Sequence, residues 1–276
     1  MAKFVPDIKT QRWIVISQTR VDRPQDNGKT KEKPKCPFCY GNEHLTPPEL
    51  YRVGDSDKDQ SGWKVRVIPN KYPITDIHEV IIHSPDHKKD IVDQDIKELE
   101  MLLSVYHNRF RFHRENGQVM IFCNHGEHAG ASLAHPHSQL VVIPRQINLD
   151  ALVQEPIMNV IDDNTFFITY SPDFSQWPYE VWIAPKKKDT TFADIEKEEL
   201  NDLAVILKNT LIRLKTKTEK QTEDFAYNFY IHHAKNWFIR VIPRLIHRAG
   251  FELGTGLSVN VVDPKDAALE LSKIKI

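Results

Sequence analysis

Val142-Ile143-Pro144-Arg145 and Val241-Ile242-Pro243-Arg244 are the same four residues, closing two strand-like runs in the two halves of a 276-residue chain. The likeness extends upstream of both. Glu79-Val80-Ile81-Ile82, then Pro85 and Lys88-Lys89-Asp90, is matched by Glu180-Val181-Trp182-Ile183, then Pro185 and Lys187-Lys188-Asp189. Each copy next enters a segment with apolar residues at helical spacing: Ile96, Leu99, Leu103, Tyr106 and Phe110 in the first, Leu200, Leu203, Leu207, Leu211 and Leu214 in the second. Three matches in the same order make an internal repeat of strands, one long helix, then strands. The fold class expected is α+β: two homologous halves, each an antiparallel sheet with a long helix, at residues 1–150 and 151–276, joined near 146–162. A stretch rich in Lys, Asp, Gln and Pro at 22–35 reads as an exposed loop.

Bulk composition narrows the function classes. Hydrophobic residues are 40% and charged residues 27%, the profile of a globular protein. Lys and Arg number 37 against 38 Asp and Glu, so no overall field attracts nucleic acid or an acidic membrane, and any phosphate binding must be local. No apolar run approaches the roughly 20 residues of a membrane span, and the first residues, Met1-Ala2-Lys3-Phe4-Val5, have no signal-peptide core. The expected location is the cytoplasm. Three cysteines with one close pair, Cys36 and Cys39, do not form a disulfide framework.

The chemistry concentrates in Ala134-His135-Pro136-His137-Ser138-Gln139, which runs into Leu140-Val141-Val142-Ile143. On a strand, residues i, i+2 and i+4 share a face, so His135, His137 and Gln139 point one way, with Pro136 marking an edge or a strand start. An arbitrary H-x-H is most often a pair of surface histidines. Here residues 124–132, Asn-His-Gly-Glu-His-Ala-Gly-Ala-Ser, are small and polar, a composition suited to a loop whose backbone N–H groups approach an anion. The repeat is an internal control: aligned on Val-Ile-Pro-Arg, the second half has Ala234, Asn236 and Phe238 where the first has His135, His137 and Gln139. Histidines needed only for packing would recur in both copies.

Cys36 and Cys39 have the C-x-x-C spacing that lets two thiolates grip one zinc, but a redox pair or idle thiols fit it too. No second C-x-x-C exists, so further ligands would be histidines, with His87 and His135 the candidates. Arg20 and Arg23, beyond the strand-like Trp13-Ile14-Val15-Ile16, could clamp phosphate oxygens or be solvated surface residues. Asn70 could read a ribose or base edge or serve a turn.

Taken together these segments resemble the galactose-1-phosphate uridylyltransferases of the histidine-triad superfamily. The resemblance rests on residues 124–139 with H-P-H-x-Q, on Cys36-Pro37-Phe38-Cys39-Tyr40-Gly41-Asn42, on Ser84-Pro85-Asp86-His87, on the Arg20/Arg23 segment and on Trp177-Pro178-Tyr179-Glu180, all in order. Gly250-Phe251-Glu252-Leu253-Gly254-Thr255-Gly256 is similar to the ADP-glucose phosphorylase branch. The resemblance implies that His137 is a nucleophile and Gln139 holds the α-phosphate. It implies one structural zinc on Cys36, Cys39, His87 and His135. Asn70, Asn124 and Ser132 would contact nucleotide or phosphate, Arg20 and Arg23 the sugar and phosphate side. Partners implied are a nucleotide sugar and a sugar 1-phosphate or phosphate, and family chains often form homodimers. The activity implied is ping-pong nucleotidyl transfer through a nucleotidyl-His137, between sugar 1-phosphates or to inorganic phosphate; a zinc-stabilised nucleotide-binding protein without turnover is the other class. Hydrolases of the superfamily carry a third His at the place of Gln139, and a Gln cannot shuttle that proton, which favours transfer between phosphates. The chain departs from the family at Ala134, where Pro is usual, in its shorter length, and at 236–240, where some members carry a second metal-binding His-x-His and no second site is expected. These departures leave the sugar and the base open.

Overall fold

The computed structural model describes residues 2–7, 12–18, 20, 35–149, 154, 156–219 and 224–276. Arg23, with most of the loop expected at 22–35, lies outside them. Strands β1 (Lys3–Asp7) and β2 (Arg12–Ile16) form a separate antiparallel pair. The other ten strands make one antiparallel sheet. From the first half come β3 (Tyr51–Gly54), β4 (Trp63–Pro69), β5 (His78–Ile82), β6 (Gln118–His125) and β7 (His137–Ile143). From the second come β8 (Val160–Asp163), β9 (Phe167–Tyr170), β10 (Val181–Pro185), β11 (Tyr227–Ile231) and β12 (Ile239–Pro243). The order is β3-β4-β5-β7-β6-β11-β12-β10-β9-β8, which reads alike from either end once each strand is replaced by its counterpart. Long helices follow β5 and β10: α1 (Ile96–His113) and α2 (Lys197–Thr218). Two short ones, α3 (Gly250–Thr255) and α4 (Pro264–Ser272), end the chain.

The helices start where local chemistry requires. Asp95 accepts the Glu98 N–H and Glu98 accepts the Asp95 N–H, each at 2.8 Å, a reciprocal cap on α1. The expected stripes face inward: Leu99, Leu103, Tyr106 and Phe110 on α1, and Leu200, Leu203, Leu207, Leu211 and Leu214 on α2, are all buried. Both helices pack on one face of the sheet, against Ile81, Ile121, Leu140, Val142, Val181, Ile183, Phe229, Ile239 and Val241, in a single core.

This corrects the expectation of a sheet for each half. β6 and β11 pair directly, from Tyr227 opposite His125 to Ile231 opposite Ile121, so neither half keeps an open edge at the junction. The repeat is also out of phase at its first match. Glu79 points to the helix face, where Arg109 Nε (2.9 Å) and His113 Nε2 (2.7 Å) meet its carboxylate. Glu180 points to the other face, bonded by Trp182 Nε1 and Arg240 Nε, both at 2.7 Å. The Val142 N–H bonds the Ile77 carbonyl, whereas its counterpart Val241 sits opposite Val181. Strands matched on Val-Ile-Pro-Arg therefore differ by three residues from strands matched on the glutamates, and an odd offset turns every side chain over.

The Glu79 cluster yields a stability prediction. Burial alone would raise its carboxyl, but hydrogen bonds from His113 and Arg109 outweigh that and hold it below the usual value. A depressed carboxylate contributes stability that is complete above the unfolded value near 4.3. It is lost as pH falls through the lower folded value. Glu79→Gln, which leaves the buried Arg109 uncompensated, is expected to cost about 3–5 kcal/mol at neutral pH. Urea denaturation from pH 7 downward checks it: the gap between wild type and variant should narrow below about pH 4.3.

Candidate active site

The second face of the sheet carries the chemistry. Over its first half, Phe38, Trp63, Ile68, Val80 and Ile82 form a small apolar cluster, with Cys36 and Leu133 against it. That cluster seats the Cys36–Cys39 turn on the strands. The turn is built as a knuckle: the Cys39 N–H bonds the Cys36 carbonyl (3.4 Å), the Asn42 N–H bonds the Cys39 carbonyl (3.1 Å), and the Asn42 side chain donates to the Cys36 carbonyl (2.8 Å). Gly41 takes φ +81°, a conformation that favours glycine.

Cys36, Cys39, His87 and His135 bring one ligand atom each to within 4.8 Å of one another. Cys36 Sγ lies 3.7 Å from His135 Nδ1; Cys39 Sγ lies 3.4 Å from His87 Nδ1 and 3.6 Å from His135 Nδ1. A tetrahedral zinc with bonds of about 2.3 Å to sulfur and 2.0–2.1 Å to nitrogen sets such ligands roughly 3.5 Å apart. The donor set fits the ion. His135 Nε2 donates to the Ser84 carbonyl at 2.8 Å, leaving the lone pair on Nδ1, on the side of the thiols. Burial lowers the His135 ring to about 4, so it is neutral, as a ligand must be. Burial, reinforced by the adjacent Cys39, raises the Cys36 thiol to about 11, so a cation would displace its proton on binding.

His135 precedes β7 and His137 begins it, so Pro136 marks the strand start. The His137 Nδ1 donates to the His135 carbonyl at 2.8 Å, which puts the lone pair on Nε2. The Phe38 ring, from inside the Cys-x-x-Cys knuckle, meets the His137 ring in a T-shaped contact at 5.3 Å and 68°. The Cys2His2 group, the His135 carbonyl, the imidazole and the Phe38 ring thus form one connected support for a single ring nitrogen. Beneath β7, Ser138 faces the helices, where His83 Nε2 (2.8 Å) and Tyr106 OH (2.6 Å) meet its hydroxyl. Burial drives the His83 ring down to about 3, so this network stays uncharged.

Two residues beyond His137 on the same face, Gln139 Oε1 accepts from His78 Nε2 (2.9 Å) and Asn70 Nδ2 (3.3 Å). Arg20, whose Nη1 donates to the Tyr72 carbonyl at 3.3 Å, is held on the loop that carries Asn70. Asn124, on β6, accepts from Asn228 Nδ2 of β11 at 2.8 Å, so the second half steadies a first-half site residue.

A model of the DUF4931 N-terminal domain, a domain of unknown function, matches residues 17–145. ADP-glucose phosphorylase from Arabidopsis thaliana is 29% identical, over 98% of this chain and 92% of that protein. Galactose-1-phosphate uridylyltransferase from Thermotoga maritima is 26% identical, over 97% and 96%. The crystal structure of an Arabidopsis ADP-glucose phosphorylase with bound ADP-glucose superposes with a TM-score of 0.76 at 28% identity, covering all of both chains. The chain is a relative of the galactose-1-phosphate uridylyltransferases and of ADP-glucose phosphorylase.

Within this relationship several expectations need adjusting. The loop at 124–132 does not offer all its amides to an anion. The N–H groups of Ala129, Gly130 and Ala131 bond the carbonyls of Gly126 and Glu127. Gly126 (φ +82°) is required for another reason: a Cβ there would lie 2.8 Å from the Cβ of Ala226. Ser132 follows in the same loop, half-buried. His125 faces the helix side, bonded to Asp90 (3.1 Å) and stacked on Tyr227. Glu252, in the segment similar to the ADP-glucose phosphorylase branch, accepts the Ala249 N–H at the start of α3 at 3.0 Å. Where the first half has Gln139, Phe238 lies stacked between Trp182 and His232. Sequence reasoning missed Phe38 and His78. The signal for His78 was present, since it shares a strand face with Val80 and Ile82, but nothing in one sequence pairs it with Gln139.

Proposed function

We propose that the protein transfers a nucleotidyl group from a nucleotide sugar to a phosphate acceptor through a nucleotidyl-His137 intermediate. Nε2 of His137 attacks the α-phosphorus; the phosphorus–oxygen bond to the sugar 1-phosphate breaks, and that group leaves with the electron pair. An oxygen of the acceptor phosphate then attacks the same phosphorus, and the nitrogen–phosphorus bond breaks to restore the imidazole. The leaving groups are phosphates and need little protonation, so a neutral Gln139 suffices to donate to the non-bridging oxygens. Asn70, Asn124, Ser132, Arg20 and Arg23 would bind nucleotide and phosphate. A structural zinc on Cys36, Cys39, His87 and His135 would fix the backbone that aims His137. Residues 1–150 and 151–276 are read as tandem histidine-triad-like halves, the second having lost the chemistry, and a homodimer is compatible with the family.

The observation that carries this reading is the bond from His137 Nδ1 to the carbonyl of His135, itself in the Cys2His2 group, which presents Nε2 as the nucleophile. Two substrate classes remain in play. UDP-glucose with a hexose 1-phosphate follows the uridylyltransferase relatives. ADP-glucose with inorganic phosphate is favoured by the 29% identity to ADP-glucose phosphorylase over 98% of the chain. Incubation with UDP-glucose and ADP-glucose, each radiolabelled in the α-phosphate, separates them. The nucleotide that leaves acid-labile label on the protein names the base. Label from neither sinks the reading and leaves a nucleotide-binding protein.

A further inference from the structure

We infer that His78 is a positioning residue that fixes the amide of Gln139 with its NH2 toward the reacting phosphate. The inference rests on the transfer reading above and goes beyond it, because a Gln is useful there only in one of its two orientations. A glutamine can present either its carbonyl or its NH2, and a carbonyl facing a phosphate oxygen repels it.

The hydrogen bonds decide the orientation in three steps. The Ile74 N–H donates to His78 Nδ1 at 2.9 Å, so Nδ1 bears the lone pair and Nε2 the proton. His78 Nε2 therefore donates to Gln139 at 2.9 Å, and the atom receiving it must be the carbonyl oxygen. Asn70 reinforces this: its own oxygen takes the Tyr72 N–H at 2.8 Å, so its NH2 is the group that reaches Gln139 Oε1 at 3.3 Å. The 3.1 Å approach of Asn70 Nδ2 to His78 Nε2 is then a contact between two donors sharing one acceptor. With its oxygen doubly occupied, Gln139 has only N–H groups to turn elsewhere. His78 is buried and sits opposite Val141 on the strand beside β7, two residues along from the pairing of Val80 with Gln139, so the donor is held by the sheet rather than by a loop.

The test exploits two side chains of different reach. Asn at position 78 keeps an acceptor for the Ile74 N–H but has no group at the distance of Nε2. Gln places an N–H at about that distance. Single-turnover labelling of His137 is measured in wild type, His78→Asn and His78→Gln, each alone and combined with Gln139→Ala, after melting curves establish that each variant is folded. His78→Asn should slow labelling at saturating nucleotide sugar about 10- to 100-fold, with KM changed less than about threefold, as expected for misplacement of a transition-state donor. His78→Gln should recover most of the rate, and in the Gln139→Ala background His78→Asn should have no further effect. Should His78→Asn fail to fold, the smaller His78→Ser carries the same expectation. A labelled wild type with His78→Asn equally fast, or with Asn and Gln equally slow, or with additive effects in the double variant, overturns the role of His78. An unlabelled wild type overturns the transfer reading beneath it.

Discussion

His137→Asn is expected to lower nucleotidyl transfer by on the order of 10^5-fold while the protein remains folded. Asn is the informative replacement. Its amide N–H lies close to where Nδ1 was and can keep the bond to the His135 carbonyl, observed at 2.8 Å. What it lacks is Nε2, and with it the lone pair that would bond phosphorus. The measurement is steady-state transfer together with acid-labile label, read beside a melting curve. A variant that keeps a tenth of the wild-type rate would show that the imidazole is not the nucleophile. Loss of rate with equal loss of folded protein would not discriminate, and for this reason the isosteric replacement is preferred to Gly.

Cys36→Ser is expected to abolish stoichiometric zinc and lower stability by on the order of 3 kcal/mol, the linkage stabilisation that is lost when an ion present at about 100 times its Kd no longer binds the folded chain. For a chain of this size that corresponds to a Tm lower by about 5 °C. Metal analysis of wild type should find one zinc per chain, and a chelator should reproduce the lower Tm without any mutation. Activity should fall in both cases, because His135 belongs to the Cys2His2 group and its carbonyl holds the His137 ring. Wild-type protein that carries no metal, or a serine variant that melts with wild type, would remove zinc from the scheme.

Local order was the easiest part to read from sequence. The leucine stripes of α1 and α2 and the strand after His137 follow from periodicity alone, because period and burial are linked residue by residue. The Cys2His2 group was legible for a different reason: a lone Cys-x-x-Cys needs partners from elsewhere in the chain, and the family resemblance picked His87 and His135 out of thirteen histidines. What escaped was register. Glu79 and Glu180 look equivalent in the two copies, yet face opposite sides of the sheet, because a shift of three residues between neighbouring strands leaves no trace in either strand's own sequence. The same limit hid the contacts of His78 with Gln139 and of Asn228 with Asn124, each made across strands from distant parts of the chain.

The direct pairing of β6 with β11 has a consequence for how this protein could evolve or be trimmed. The first 145 residues contain the Cys2His2 group and the His137 imidazole, but alone they would end in a bare row of amides and carbonyls from Ile121 to His125, an invitation to aggregate. Deleting the second half is therefore expected to cost dispersed, folded protein, even though that half has no His-x-His-x-Gln of its own. It serves as a fitted cover for its sibling's flank, so substitutions in it should act through solubility and assembly even at positions far from any substrate.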